Sequence, residues 1–295
     1  DTNIICWGDN QLGQFGNGQL NGGWANVSLP SNKIPVSLSA GYQSNHFCVV
    51  MDDGSLYCWG ENTHGQLGLG FKCTNGYQNG CNGAGGLSSP ASVSLPNNLT
   101  VTAVSTSEEA TCAILEDHSV WCWGDNYNGL LGIGIDYDYD NSSTQFRTTP
   151  TAVLMPTGVN ATGISIGKTH ACLLAMDGRI FCWGSSSNGQ LGAGSDMSDY
   201  SSINGYYYSN SPVEVSGTSS YVSVSVGDGF SCAITTNATV ECWGGSSVLG
   251  TGLDSTGYPV SWQSQYQPVE TDLPANLSAV SISLGIDYAC SVMDN

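Results

Sequence analysis

Hydrophobic and polar residues alternate one by one along several short stretches of the chain. Residues 36–41 read Val-Ser-Leu-Ser-Ala-Gly, and residues 222–227 read Val-Ser-Val-Ser-Val-Gly. Because neighbouring side chains of a β-strand point to opposite faces of its sheet, a period of two predicts strands. No stretch has a convincing helical period. The pattern therefore predicts an all-β protein in which helix is nearly absent.

The string Cys-Trp-Gly divides the chain into five similar segments. It begins at Cys6, Cys58, Cys122, Cys182 and Cys242, at intervals of 52, 64, 60 and 60 residues. The step from Cys242 around the end of the sequence to Cys6 is 59 residues, which makes a fifth interval of the same size. Such periods are typical of propeller blades or solenoid units. We therefore expect one repeat domain over residues 1–295.

Eight cysteines form pairs whose members are ten residues apart. The pairs are Cys48 with Cys58, Cys112 with Cys122, Cys172 with Cys182, and Cys232 with Cys242. If the members of a pair face each other across a hairpin, Val49 pairs with Tyr57 and Val50 with Leu56. Residues 52–54 (Asp-Asp-Gly) then form a three-residue loop, whose last position suits a left-handed glycine.

The other four cysteines complete a disulfide prediction. Cys73 and Cys81 form a local pair, whereas Cys290 and Cys6 hold the upstream and downstream hairpin positions near the two ends of the sequence. A metal site would need close ligand pairs such as Cys-x-x-Cys, which are missing. We predict six disulfides and no free thiol. Because disulfides persist in oxidising compartments, we expect an extracellular or secreted protein.

A glycine-rich segment follows each Cys-Trp-Gly string. The long copies begin at Gly8, Gly60, Gly124 and Gly184, and the copy at Gly244 is two residues shorter. With the preceding Trp, these segments resemble the repeat of the regulator of chromosome condensation family, W-G-x-N-x-x-G-Q-L-G-x-G. The resemblance covers the whole chain. It implies a β-propeller-type array of five four-stranded blades, closed by or linked through the terminal hairpin.

The resemblance implies a fold but does not transfer a function. Family propellers usually have seven blades, and five repeats are present here. The predicted disulfides and the acidic charge disfavour the exchange and chromatin-binding role of the nuclear member. We expect the motif tryptophans to pack in the core rather than to stack on a ligand; they are Trp7, Trp59, Trp123, Trp183 and Trp243.

The terminal hairpin has two alternative solutions. In the first, residues 4–7 pair with residues 289–293 of the same chain, and Cys6 bonds Cys290 within one closed ring. In the second, Cys290 bonds Cys6 of the next molecule, and a head-to-tail contact that does not close produces a filament. The sequence leaves both alternatives open.

Insertions fall at one position of the repeat, after the Gly-x-Gly and before the next strand. They cover residues 19–26, 71–89, 135–149, 195–211 and 253–267. Nine of the 14 tyrosines lie in them: Tyr77, Tyr137, Tyr139, Tyr200, Tyr206, Tyr207, Tyr208, Tyr258 and Tyr266. Tyr gives a large contact area at low entropic cost, which favours a common interaction face over loop filler.

The insertions also contain a candidate cation loop and part of a set of sequons. Asp136, Asp138 and Asp140 alternate as at the start of a calcium loop, but the positions that need Gly and Glu hold Asn141 and Arg147. A solvated acidic loop is favoured over a weak Ca²⁺ site, and we expect no metal or cofactor. Glycans are expected on several sequons if the source is eukaryotic. The sequons lie at Asn26, Asn98, Asn141, Asn160, Asn237 and Asn276.

Charge and length exclude further classes of protein. The 295 residues include 5 Lys and Arg against 24 Asp and Glu, which gives a net charge of −19. Five basic residues cannot contact the phosphates of a nucleic acid as a duplex binder must. No apolar run approaches the ~20 residues of a membrane span. Because no signal-peptide pattern precedes the repeats, we expect Asp1 to begin a processed form.

No catalytic motif is recognisable. His46 and His170 each lie two residues before a hairpin cysteine, where other repeats hold Ala110, Phe230 and Tyr288, so both are expected to be structural. We predict a non-enzymatic extracellular structural or interaction protein. Self-assembly into a head-to-tail fibre is the leading hypothesis. A monomeric propeller that binds a secreted protein or a glycan, as an inhibitor or lectin does, is the alternative, and a secreted hydrolase is a third.

Overall fold

Antiparallel strands dominate the computed structural model, which describes residues 3–41, 43–74, 78–194, 201–203, 206–245, 249–251, 264–274 and 276–294. Two sheets have two strands each: β1 (Ile5–Gly8) with β2 (Gly23–Asn26), and β20 (Ser278–Leu284) with β21 (Ala289–Asp294). One four-stranded sheet contains β3 (Pro35–Ser39), β4 (His46–Met51), β5 (Leu56–Glu61) and β6 (Gly86–Ser92). Another contains β7 (Val101–Thr106), β8 (Ala110–Leu115), β9 (Val120–Asp125) and β10 (Phe146–Ala152).

The remaining sheets follow the same order along the chain. A five-stranded sheet contains β11 (Ala161–Ile166), β12 (His170–Ala175), β13 (Ile180–Ser185), β14 (Ser201–Ile203) and β15 (Tyr206–Glu214). A four-stranded sheet contains β16 (Tyr221–Val226), β17 (Phe230–Thr235), β18 (Val240–Gly244) and β19 (Gln265–Glu270). Helix is limited, in the described part, to α1 (Ser142–Gln145) and three short 3₁₀ turns at Gln78–Gly80, Pro96–Asn98 and Tyr127–Gly129. The all-β prediction is confirmed.

The chain divides into two compact units. Unit 1 is Asp1–Asn126 with Tyr137–Val153, and unit 2 is Tyr127–Asp136 with Leu154–Asn295. Unit 1 contains the sheet β1–β2 and two complete sheets, and unit 2 contains two complete sheets and the sheet β20–β21. The single repeat domain over 1–295 stays a prediction.

The hairpins have the predicted register. Cys48 faces Cys58, Val49 faces Tyr57 and Val50 faces Leu56. Gly54 takes the left-handed conformation, with φ +75°. The same slot is filled by His118, Gly178 and Ala238 in the later hairpins, also with positive φ. Since only glycine adopts this conformation without strain, His118 and Ala238 are held there by the pairing of their flanking strands.

The fourth strand of each sheet lies partly inside the segments that the sequence marks as insertions. It contains a proline in four repeats: Pro90, Pro150, Pro212 and Pro268. Around each proline the register with the third strand shifts. Proline lacks the N–H for a ladder bond and is confined to edges and bulges, so its recurrence before a strand end was a usable sequence signal.

The motif tryptophans fasten each repeat to the one before it. Trp59, Trp123, Trp183 and Trp243 are 0% exposed. Each indole Nε1 donates to a backbone oxygen in the glycine-rich segment of the preceding repeat, at 2.8–2.9 Å; the acceptors are Gln14, Gln66, Leu130 and Gln190. A fully buried indole with a satisfied N–H is a packing residue. The predicted core role holds for these four tryptophans.

Candidate functional site

The sheets at the two ends of the sequence are incomplete versions of the internal ones. We call β1 with β2 the N-terminal half-sheet, and β20 with β21 the C-terminal half-sheet. Among the described strands, β1 pairs only with β2 and β21 pairs only with β20. Each half-sheet therefore has an open strand edge that is covered in the complete sheets. Unpaired edges are natural sites for pairing with another chain.

The N-terminal half-sheet corresponds to the third and fourth strands of a complete sheet. Cys6 of β1 faces Ala25 of β2. In the complete sheets, Cys58 on the third strand faces Ala91 on the fourth. In later sheets the third-strand cysteine likewise faces a fourth-strand residue, Val213 or Val269. What β1 lacks is the second strand, which would carry the cysteine that faces Cys6.

The C-terminal half-sheet corresponds to the first and second strands. Ser283 of β20 faces Cys290 of β21. In the complete sheets, Ser105 faces Cys112 and Ser165 faces Cys172 in the same way. What β21 lacks is the third strand with its cysteine. The two half-sheets thus contain complementary pairs of strands.

The cysteines depart from the predicted pairing at this one place. The structure contains the disulfides Cys48–Cys58, Cys73–Cys81, Cys112–Cys122, Cys172–Cys182 and Cys232–Cys242. Cys6 and Cys290 are unbonded thiols in the single chain, so five of the six predicted disulfides are present there, and the sixth, between Cys6 and Cys290 within one chain or between two chains, stays a prediction. Each is unbonded because it lies on a half-sheet whose open edge lacks the strand that would carry its partner. Burial raises the pKa of the Cys6 thiol, which slows its reaction by keeping it protonated.

Apolar side chains are exposed on both half-sheets. Ile5, Trp7 and Trp24 are exposed on the N-terminal half-sheet, and Val280 and Val292 on the C-terminal one. Trp7 is 78% exposed, in contrast to the four buried motif tryptophans. The predicted core role of this fifth tryptophan is therefore wrong within one chain. Large exposed apolar groups beside an open strand edge mark an interaction surface.

The tyrosine-rich insertions are only partly accessible. Tyr139 and Tyr207 are exposed, and Tyr137 and Tyr266 are half-buried. Tyr208 is 2% exposed and donates a hydrogen bond to Asp136 Oδ1 at 2.9 Å, because it faces inward on β15. It is therefore a structural residue, and the prediction that it belongs to an interaction face is wrong. Tyr77, Tyr200 and Tyr258 lie outside the described residues, as does the side chain of Tyr206.

The candidate cation loop does not form a metal site in the described part of the chain, and the sequons are separate surface positions. Asp136 is engaged by Tyr208 and also by Asn210 Nδ2, at 2.7 Å. Among the described residues, no three His, Cys, Asp or Glu side chains are grouped so as to hold a metal. All six sequon asparagines are exposed, so each is accessible to a glycosylating enzyme.

The two buried histidines are structural. His46 Nε2 lies 2.7 Å from Thr111 Oγ1, and His170 Nε2 lies 2.8 Å from Ser231 Oγ. Each hydroxyl donates onward to the backbone oxygen that also accepts from a motif tryptophan. Complete burial lowers the pKa of both imidazoles to about 3. They are therefore neutral links between neighbouring repeats.

Unit 2 contains a polar cavity of about 600 Å³. Its lining includes Tyr127, Thr169, Ser187, Asn188, Gln190, Asp228 and Asp287. Amide, hydroxyl and carboxylate groups beside an aromatic ring match the hydrogen-bonding needs of a polar, uncharged ligand. No helix in the described part of the chain is long and apolar enough to cross a membrane.

Comparisons with known proteins agree with the repeat pattern. The chain is 29% identical over 253 residues to the mitochondrial RCC1 domain-containing protein RUG3 of Arabidopsis thaliana, covering 83% of this chain and 50% of RUG3. It is 24% identical over 302 residues to the ultraviolet-B receptor UVR8 of the same plant, covering 99% of this chain and 58% of UVR8. The probable E3 ubiquitin-protein ligase HERC6 of Homo sapiens is 25% identical over 244 residues, covering 82% of this chain and 21% of HERC6. The chain thus spans about half or less of several of these relatives.

Solved structures share the fold at low sequence identity. A chain in the crystal structure of Kap60 bound to yeast RCC1 (Prp20) superposes with a TM-score of 0.79 and 19% identity, over 99% of this chain and 62% of that one. Human WBSCR16 superposes with a TM-score of 0.75 and 20% identity, over 99% of this chain and 67% of that one.

The sequence model described as "Regulator of chromosome condensation (RCC1) repeat" matches residues 53–114, 117–174 and 177–234. A second model of the same description matches residues 36–66, 101–130 and 161–190. The first model alone matches more than half of the chain. With the repeated sheets, the glycine-rich segments and the four buried tryptophans, these matches identify the chain as a member of the regulator of chromosome condensation (RCC1) repeat family.

Proposed function

We propose that this protein is a non-enzymatic, extracellular structural protein whose copies join head to tail into a fibre. The observation that carries the proposal is the complementarity of the two half-sheets. One supplies the first and second strands of a sheet and the other supplies the third and fourth, and Cys290 and Cys6 hold the register positions that the cysteines hold in the complete sheets. A second copy of the chain therefore offers what each open edge lacks.

The joint follows from pairing β21 of one copy with β1 of the next. This contact is heterologous, since one end of the molecule meets the opposite end of its neighbour. A heterologous contact that does not close on itself generates a filament. It covers both open edges and brings Cys290 opposite Cys6 of the second copy, as Cys48 lies opposite Cys58. An intermolecular disulfide at this point would lock the joint.

The proposed extracellular location rests on the disulfides and the sequons. Five disulfides in a chain of 295 residues favour an oxidising compartment. The six exposed sequons are compatible with passage through a secretory pathway.

The proposal is tested with the purified 295-residue chain under oxidising conditions. Because copies with a net charge of −19 repel each other at low salt, the buffer should contain about 0.15 M salt or more. We expect filaments by negative-stain electron microscopy and a ladder of multimers on a non-reducing gel. A single band at monomer mass, together with monomers by light scattering and no filaments in the micrographs, contradicts the proposal.

Matched cysteine variants separate the joint from the other disulfides. Cys6→Ser and Cys290→Ser should each abolish the covalent ladder. The double variant Cys73→Ser with Cys81→Ser removes a disulfide within one chain and should leave the ladder intact. A ladder that survives in Cys290→Ser would mean that other cysteines join the copies.

The polar cavity of unit 2 favours a second candidate, a monomeric propeller that binds a glycan or a polar segment of a secreted protein. Asn188 supplies an amide and Tyr127 supplies a ring, which is a combination that suits sugar hydroxyls and their apolar faces. A glycan array with wild-type protein and Asn188→Ala tests this candidate. Binding that Asn188→Ala abolishes, from a protein that stays monomeric, would support it over the fibre.

A further inference from the structure

Each buried motif tryptophan packs against a glycine in the glycine-rich segment of the preceding repeat, and we call the space beside that glycine the seat of the indole. An added Cβ at Gly16 would lie 2.9 Å from Trp59 Nε1, and one at Gly68 would lie 2.8 Å from Trp123 Nε1. Gly132 and Gly192 stand in the same relation to Trp183 and Trp243 in unit 2. All four glycines are buried and have φ between +61° and +73°. Glycine is needed there because a side chain would occupy the place of the indole.

The fifth repeat contains the same seat without an indole. Gly250 has φ +64°, and the preceding Leu249 is 1% exposed, as the equivalent Leu191 is buried. The Gly250 oxygen accepts from Asp272 N at 2.8 Å, just as the Gly192 oxygen accepts from Ser216 N at 2.9 Å. Among the described residues, an added Cβ at Gly250 would meet Thr271 alone, at 3.6 Å and beyond, and Gly250 is exposed. In the described part of the chain, no indole occupies this seat, and we call it the open seat.

Trp7 is the motif tryptophan that lacks a seat. It follows Cys6 in the same Cys-Trp-Gly string as the four seated tryptophans, yet its side chain is 78% exposed. The Trp7 indole thus keeps most of its contact with water, whereas Trp243 is fully buried and donates its N–H to a backbone oxygen. One end of the molecule therefore offers the indole and the other offers its place.

We propose that Trp7 of one copy binds the open seat at Gly250 of a second copy. The inference rests on the proposed head-to-tail assembly, and it deepens it by naming the partner surface. When β21 and β1 of two copies form one sheet, Trp7 stands in that sheet where Trp243 stands in its own. It then fastens the composite sheet to the fifth repeat, as Trp243 fastens its sheet to the fourth repeat. The contact between two copies then has the same tryptophan-on-glycine packing as the contacts between repeats within one chain.

Non-covalent association isolates the seat from the disulfide. All chains carry Cys6→Ser and Cys290→Ser, and sedimentation equilibrium measures the dissociation constant. Trp7→Ala removes the indole from an exposed position, so the fold is not at risk. Gly250→Asn blocks the seat with a residue that tolerates the left-handed conformation. Their controls are Met176→Ala, which truncates another exposed apolar residue, and Gly158→Asn, which alters another exposed glycine with positive φ.

We expect Trp7→Ala and Gly250→Asn each to raise the dissociation constant at least about thirty-fold, as for an interface tryptophan that dominates binding. The controls should change it by less than about threefold. If the parent chain associates and the two variants associate equally well, the seat is wrong while the proposed assembly stands. If the parent chain does not associate while wild type still forms filaments, the seat fails and the proposed function stands; if neither associates, both fail.

A mixture of the Trp7→Ala chain with the Gly250→Asn chain gives the sharpest test of the seat. Trp7→Ala keeps an intact seat, and Gly250→Asn keeps an intact Trp7, so one productive joint is available between them. An equimolar mixture should form dimers and nothing larger, although each variant alone stays monomeric. A mixture that stays monomeric, with both chains folded by circular dichroism, overturns the seat. A misfolded variant would also fail this arm, and the circular dichroism spectrum identifies that case before mixing.

Discussion

Mild acid should lower the free energy of unfolding through His46 and His170, which lie at the contacts between repeats. Both imidazoles are fully buried, and burial lowers their pKa from the ordinary value of 6.5 to about 3. His170 Nδ1 has no hydrogen-bond partner among the described residues, so a proton added there finds no acceptor. In the unfolded chain the same side chain binds a proton near pH 6.5. The unfolded state therefore binds more protons than the folded state between these two values.

The sign and size of the effect follow from this difference. The stabilisation is fully present above about pH 6.5 and is lost as the pH falls towards about 3. At about pH 5, each histidine should have cost the folded state about 2 kcal/mol relative to neutral pH. Most aspartates and glutamates are still ionised at that pH, so their contribution is small.

The assay is guanidinium unfolding at about pH 7.5 and about pH 5, with wild type and the double variant His46→Ala, His170→Ala. Alanine occupies the equivalent position in another repeat, as Ala110. The cavities in the variant cost stability equally at both pH values and cancel in the difference. Wild type should lose about 4 kcal/mol more than the variant on acidification, if both histidines unfold in the same transition. Equal losses would refute the reasoning that burial keeps these imidazoles neutral.

Three further predictions concern the repeats and the surface. Cys112→Ser with Cys122→Ser should lower the free energy of unfolding by about 2–3 kcal/mol, since the disulfide closes a loop of about ten residues; an unchanged guanidinium midpoint would contradict this. Gly68→Ala should cost about 1–3 kcal/mol more than Gly158→Ala by thermal unfolding, because only the former drives a methyl group into an indole, that of Trp123; equal costs would argue against the seat. Protein secreted from eukaryotic cells should lose mass on treatment with an N-glycosidase, and an unchanged intact mass would exclude glycans on the exposed sequons.

Much of the local structure could be predicted because it depends on neighbours in sequence. Cysteines ten residues apart and a glycine two positions before the start of the returning strand specify the hairpin that pairs Val49 with Tyr57. The fourth strand was harder to predict, since it lies among long insertions and carries Pro90 or Pro150 near its centre. Tyr208 was misplaced for the same reason. Without the bounds of β15, the alternation that turns Tyr208 inward cannot be read.

By itself, the sequence determined the repeat, the hairpin register, the four hairpin disulfides and the disulfide Cys73–Cys81 within an insertion, because each depends on short spacings along the chain. Only the tertiary structure decided what happens at the two ends. Cys6 and Trp7 carry the same motif as their internal counterparts, but whether a cysteine bonds or an indole is buried depends on a neighbouring strand and a neighbouring repeat. Among the described strands, those partners do not lie beside β1 and β21. The same Cys-Trp pair is therefore bonded and buried in the four later copies of the motif, whereas in the first copy it is an unbonded thiol and an exposed ring.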